Sequence, residues 1–210
     1  MLRPISPQSI GTTDFFRNRA FLSTLVDLLL PIENPRVIFH ACSCGAEPLS
    51  FAVLWRERRG GRITIHATDI EPLFLSMAKT ITHESVTESD RALVTFLTPS
   101  NMVTFRADEP YDAVICMNAL CYLSEDEQRL AIRALCKSTK QYLCITAASP
   151  SLLRQELQRT GFRPLWKSWV QIYYGWRERL SLRHRKCWKL PVIPMLMPAW
   201  RYSGTSIFAR

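Results

Sequence analysis

Three carboxylates, Glu47, Asp69 and Asp108, each follow a short apolar run, and a single glycine, Gly45, precedes the first of them. The run at 36–41 leads through Cys42-Ser-Cys-Gly-Ala-Glu47 to Pro48. A strand-to-helix turn of this kind offers backbone N–H groups and the positive end of a helix dipole to a ligand. A dinucleotide fingerprint needs three glycines so that a pyrophosphate can approach, and this loop has only Gly45. Glu47 would also repel a pyrophosphate. It suits a cation, such as the α-ammonium of a methionine derivative, or else serves only as an acid at a helix start. Asp69 closes the second apolar run, where an acid accepts two hydrogen bonds from ribose hydroxyls or caps the following helix. Asp108 follows an expected third strand at 103–105, where it could accept from an adenine amino group or sit in a surface turn.

Other reactive residue types point elsewhere. Cys42 and Cys44 have no second close Cys/His pair to complete a tetrahedral set, so no metal site is expected. His40 lies within an expected strand and reads as a core histidine, and His184 as a surface one. The seven cysteines are an odd number, and Cys116 and Cys144 fall inside apolar runs. Buried reduced thiols in a cytoplasmic protein fit this better than a disulfide framework. The first ten residues have no signal-peptide core, and no apolar run is long enough to span a membrane.

The elements that would position the acids follow from periodicity. A helix is expected over 14–30, capped by Thr13, with Phe16, Leu22, Leu25, Val26 and Leu29 on one face. Strands are expected at 36–41, 62–68, 103–105, 111–116, 141–146 and 204–209. Helices are expected from Pro48 to about residue 60, from Asp69 to 80, over 125–136 and over 151–160, while 82–101 is polar and unassigned. This alternation predicts an α/β fold, a mostly parallel sheet with helices on both faces, with the ligand at the carboxyl ends of the strands. With 210 residues, 47% of them hydrophobic, one domain is expected over 1–210. Residues 1–150 form its core. Residues 151–210 hold 12 Lys and Arg against 2 acids, and five of the six tryptophans (Trp166, Trp169, Trp176, Trp188, Trp200).

Four motifs in order, Thr13-Asp-Phe-Phe-Arg17, Gly45-Ala-Glu-Pro-Leu-Ser50, Ala67-Thr-Asp-Ile70 and Cys116-Met-Asn-Ala-Leu-Cys-Tyr122, resemble those of CheR-type methyltransferases. Those enzymes methylate glutamates of bacterial chemoreceptors. The resemblance covers about residues 11–148 and implies a class I methyltransferase, a Rossmann-like fold with an antiparallel C-terminal strand, that binds S-adenosylmethionine. It implies that Thr13 and Arg17 hold the methionine end of the cofactor, Arg17 at its carboxylate. Glu47 would receive the ammonium and Asp69 the ribose, with Ala41, Gly45, Ile70 and Asp108 lining the same site. Asn118 would flank the reacting centre, and Tyr122 would lie near the transferred methyl. The chain departs from the family pattern at Ala46, Met117 and Gly11. The helical receptor-recognition domain that precedes the Phe-Phe-Arg motif in the family, and its receptor-docking β-subdomain, are both expected to be missing.

Methyl transfer from a sulfonium is an in-line displacement that needs alignment more than acid–base power. The expected activity is therefore a methyltransferase acting on a small molecule, with 151–210 capping the acceptor site. A CheR-type protein glutamate O-methyltransferase and a degenerate binding or regulatory module are the alternatives. The basic stretch 177–189 could instead meet an acidic protein or a membrane surface. No nucleic-acid module accompanies it, so nucleic acid is not an expected partner. With one glycine and an acid in the first loop, S-adenosylmethionine and S-adenosylhomocysteine are expected to bind with micromolar-class affinity while NAD does not. Calorimetry with all three ligands checks this.

Overall fold

The computed structural model describes residues 13–145, 150–167 and 206–210. The basic stretch 177–189 and Trp169, Trp176, Trp188 and Trp200 lie outside the described residues. The chain divides into two compact units, Met1–Asn101 and Met102–Arg210.

In the first unit the chain enters through a turn at 15–18 before α1 (Arg19–Leu29). The helix therefore starts later than residue 14, and Thr13 is not its cap. The cause is Phe16, whose φ of 57° lies in the left-handed region and cannot continue a right-handed helix. Asn18 takes the cap position, with no side-chain hydrogen bond to the first turn of the helix. From there the expected apolar face holds, with Leu22, Leu25, Val26 and Leu29 buried.

Strand β1 (Arg36–His40) pairs in parallel with β2 (Thr64–Thr68), and β2 with β3 (Val94–Phe96), in the order β3-β2-β1. Between β1 and β2 lies α2 (Ala46–Glu57), whose residues 46–55 are all buried. Pro48 is its third residue rather than its first, a position where the missing N–H still costs nothing because the first turn has no internal acceptors. Phe51 meets Phe39 of β1 edge-on at 5.6 Å, and Trp55 stacks on Phe51 while donating to the Gly61 carbonyl at 2.9 Å. After β2 come α3 (Pro72–Thr80) and α4 (Glu88–Ala92).

The third strand is a correction. It lies at Val94–Phe96, and residues 102–104 form a turn. A short helix, α4, leads directly into it. Thr87 opens that helix with a reciprocal capping box to Asp90. Asp90 is fully buried and accepts from Arg56 of α2 at 2.7 Å, which ties α4 down so that β3 follows in register.

In the second unit, β4 (Tyr111–Cys116) is buried along its whole length and runs parallel to β5 (Thr139–Ile145). Helix α5 (Glu125–Lys137) joins them, opened by a Ser124–Glu127 capping box. Helix α6 (Pro150–Thr160) leads to β6 (Arg163–Lys167), a strand that periodicity does not pick out. The C-terminal β7 (Ser206–Ala209) runs antiparallel to both β5 and β6, giving the order β4-β5-β7-β6. The mostly parallel α/β arrangement with an antiparallel last strand is thus present. Glu156 of α6, 1% exposed, accepts from Arg129 and Arg133 of α5 and from Arg159, locking the two helices together.

Gly45 sets the approach of α2 to its neighbours. Its φ is +83°, and a Cβ there would lie 2.8 Å from the Ala78 Cβ and 3.0 Å from the Phe96 ring. Both backbone strain and overpacking oppose a side chain. Gly45→Ala is expected to destabilise the fold by about 1–3 kcal/mol, whereas Gly61→Ala, with open space around it, leaves the thermal midpoint unchanged. Parallel melting curves of the two variants make the comparison.

Candidate functional site

The first unit gathers its polar residues at the carboxyl ends of β1 and β2. The loop after β1 is tightly kinked, with positive φ at Ala41 (53°), Ser43 (50°) and Gly45 (83°). Cys42 N–H donates to the Thr68 carbonyl at 3.1 Å, and Ser43 N–H donates to Asp69 Oδ2 at 2.8 Å. Asp69 Oδ1 accepts from the Glu71 amide at 3.0 Å. Asp69 therefore does not cap α3; Glu71 does, accepting from the Leu73 amide. A carboxylate has about four lone-pair directions, and the amides of Ser43, Glu71 and Ile70 do not use all of them, which leaves Asp69 capacity for a ligand's hydroxyl. The segment after β3 closes against the same strand end: Leu97 N–H donates to Ala67 O and Ser100 N–H to Asp69 O, both at 2.9 Å.

Glu47, in the first turn of α2, is 6% exposed. Arg17 Nη2 donates to its Oε1 at 2.7 Å. The turn that delivers Arg17 is held by Phe16 N–H donating to Ser50 Oγ at 2.9 Å, and Ser50 in turn donates to Ala46 O. Thr13 Oγ1 is buried and makes no hydrogen bond among the described residues. A buried acid, a guanidinium and a waiting hydroxyl are the groups that a zwitterionic amino-acid end requires, so the residues fit the methionine end of S-adenosylmethionine. Glu47 and Asp69 act on one neighbourhood: after burial itself, their charges raise the Cys42 thiol well above the usual range. That thiol stays protonated and unreactive.

Among the other expected residues, Ala41 and Gly45 lie in this loop, and Ile70, 42% exposed, follows Asp69 directly. Asp108 lies in the second unit, and its position along the chain differs from the expectation. It stands in an exposed bend just before β4, not after β3, so it has no place at the carboxyl end of a strand. The residues that do follow β3 are Ser100, whose hydroxyl lies 2.9 Å from that of Thr68, and Asn101. Only correct placement of β3 would have found them. His40 is buried at the end of β1, and burial pulls it down to about 4, so it is neutral at pH 7. Within the second unit, β4 ends at Cys116, and Asn118 turns the chain with φ 55°, a conformation asparagine tolerates. Asn118 is exposed, and Tyr122, in the short 3₁₀ turn Leu120–Tyr122, is 66% exposed.

Burial raises the Glu47 carboxyl above the ordinary carboxylate range, with Arg17 opposing that shift. Burial raises Asp69 too, against the amides of Glu71, Ser43 and Ile70. For an acid with a raised pKa, the charged form is present above that pKa and lost as pH falls through it. An ammonium bound by Glu47 is therefore released at a higher pH than an exposed glutamate would release it. Affinity for S-adenosylhomocysteine is expected to be full near neutrality and to fall on acidification before ordinary carboxylates titrate. Glu47→Gln is expected to weaken binding about tenfold, equivalent to about 1.4 kcal/mol, at pH 7 and to flatten this dependence. Calorimetric titrations across pH follow both effects.

Residues 11–88 match the family description "CheR methyltransferase, SAM binding domain". A chemotaxis protein methyltransferase of Listeria monocytogenes is 28% identical over 166 residues, 65% of this chain. The match spans 63% of the length of that relative. Two solved structures share the fold across most of the chain. A magnesium protoporphyrin IX methyltransferase of Synechocystis superposes with a TM-score of 0.57 at 15% identity, covering 91% of this chain and 79% of that one. A glycopeptide N-methyltransferase superposes with a TM-score of 0.57 at 11% identity, covering 94% and 92%. At such low identity these likenesses speak for the fold alone, that of class I methyltransferases. Residues 11–88 thus resemble the S-adenosylmethionine-binding domain of CheR methyltransferases, and the fold is that of class I methyltransferases.

Proposed function

We propose that the chain is an S-adenosylmethionine-dependent methyltransferase that acts on a small-molecule acceptor. The observation that carries this reading is internal to the chain. Between β2 and β3 stand only α3, α4 and their turns, and between β3 and β4 only a loop, with no strand in either connection. A β-subdomain of the kind that docks on chemoreceptors has no place in these described residues. Asn118 and Tyr122, past the end of β4, are exposed, so both are open to an acceptor. In this reading residues 151–210 supply the acceptor side of the site.

The named residues divide the work. Thr13, Arg17 and Glu47 hold the amino-acid end of the cofactor, and Asp69 holds its ribose. Ala41, Gly45 and Ile70 shape the wall around it. When bound, S-adenosylmethionine supplies a methyl group on a sulfonium, a good leaving group, so the protein needs to align reactants at near-attack distance. Tyr122 orients the acceptor through its hydroxyl, and Asn118 stands beside the reacting centre. A base is needed only if the acceptor arrives protonated. Among the described residues, Cys42, Cys116, Cys136 and Cys144 are buried, which suits a reducing cytoplasm, and no helix is long and apolar enough to cross a membrane.

A second reading, methylation of a protein glutamate, is favoured by the Listeria relative. The two separate in one assay. The enzyme is incubated with trideuteromethyl S-adenosylmethionine, a metabolite extract and an acidic helical peptide containing glutamates. Label is expected in the small-molecule fraction. Alkali-labile label on the peptide, with none on small molecules, would establish the protein carboxyl methyltransferase instead.

A further inference from the structure

The segment between α3 and α4 has no part in the site as described so far, yet it touches the turn that carries Arg17. His83 in that segment is half-buried, and its ring lies 4.4 Å from that of Phe15, at an interplanar angle of 31°. It meets Phe16 edge-on, at 5.6 Å and 67°. The imidazole is itself fixed. Its Nδ1 accepts from the Ser85 amide at 3.1 Å, and the His83 carbonyl accepts from the Val86 amide at 3.0 Å. A local turn thus presents the ring edge and face to two consecutive phenylalanines.

Those phenylalanines need support. Phe16 has a φ of 57°, a left-handed conformation that is an outlier for a bulky side chain and persists only where its surroundings enforce it. Three contacts do so: the Ser50 hydroxyl on its amide, the Arg19 guanidinium 5.3 Å from its ring centroid, and His83. Arg19 is itself tethered to Glu57 at 2.9 Å. The residue after Phe16 is Arg17, whose guanidinium reaches Glu47 only because the chain turns at Phe16.

We propose that His83 is a positioning residue for the cofactor site, clamping the Phe15–Phe16 turn so that Arg17 faces the amino-acid end of S-adenosylmethionine. This rests on the reading that Arg17 and Glu47 hold that end. His83 touches neither reactant; it acts through the two aromatic rings. What the clamp requires is a flat ring at position 83, not a charge or a proton.

Calorimetric binding of S-adenosylhomocysteine to the full chain tests this with four variants. His83→Ala is expected to weaken binding about tenfold, and His83→Phe, which keeps the ring, to restore it to within about twofold. Arg17→Ala weakens binding by itself. In the Arg17→Ala, His83→Ala double variant the His83 change is expected to have no further effect, because its influence passes through Arg17. Wild-type affinity in His83→Ala, whatever its melting temperature, overturns the proposal, and so does a His83 effect that persists undiminished without Arg17. If His83→Ala does not fold, failure of His83→Phe to match wild-type affinity overturns it equally. Unchanged affinity in Arg17→Ala would instead overturn the underlying reading of the cofactor site.

Discussion

The first unit is organised around the ion pair between Arg17 and Glu47. A carboxylate only 6% exposed is costly to keep charged, and one guanidinium 2.7 Å away offsets that cost only in part. Burial still leaves Glu47 with a raised pKa. The pair thus retains attraction for an additional cation, and Arg17 supplies the complementary charge for an anion beside it. Everything around it serves to keep the two residues in place. Glu47 is held in the first turn of a fully packed helix whose start depends on Gly45, and Arg17 is held by a turn that strains Phe16. The strain is tolerable because Ser50, buried in α2, accepts the Phe16 amide. The same helix therefore carries one partner and anchors the other.

Asp69 performs a parallel role at the neighbouring strand end. It accepts the Ser43 amide and so fixes the loop after β1, while its own carbonyl accepts from Ser100 in the segment after β3. Three strand ends are bound to one residue before any ligand arrives. A site organised in this way loses little conformational freedom on binding, which favours affinity.

Much of this was legible in the sequence because strand-to-helix alternation fixes where strand ends fall. Glu47 and Asp69 followed from that alternation and from the chemistry of a loop with a single glycine. The placement of the third strand was not legible, and the reason is plain. The tripeptide Val-Thr-Phe occurs twice, at 94–96 and at 103–105. The first copy pairs with residues 65–67 of β2 and the second lies in a turn and the loop after it. Local propensity is identical in the two copies, and pairing with β2 decides between them. Asp108 was expected just after the third strand as a consequence, and it does not directly follow it. The late start of α1 was hidden for a similar reason: no residue type announces that phenylalanine will adopt a left-handed backbone, and the Ser50, Arg19 and His83 contacts that hold it come from the fold. The C-terminal part is different again: β7 was legible as a strand at 204–209, whereas β6 is read as one only once β7 pairs with it.

The most direct test is a crystal structure with S-adenosylhomocysteine. Density is expected to place its ammonium against Glu47, its carboxylate against Arg17 and Thr13, and its ribose hydroxyls on Asp69. A ligand bound with its adenosyl and amino-acid ends away from these four residues would contradict the assignment of the site.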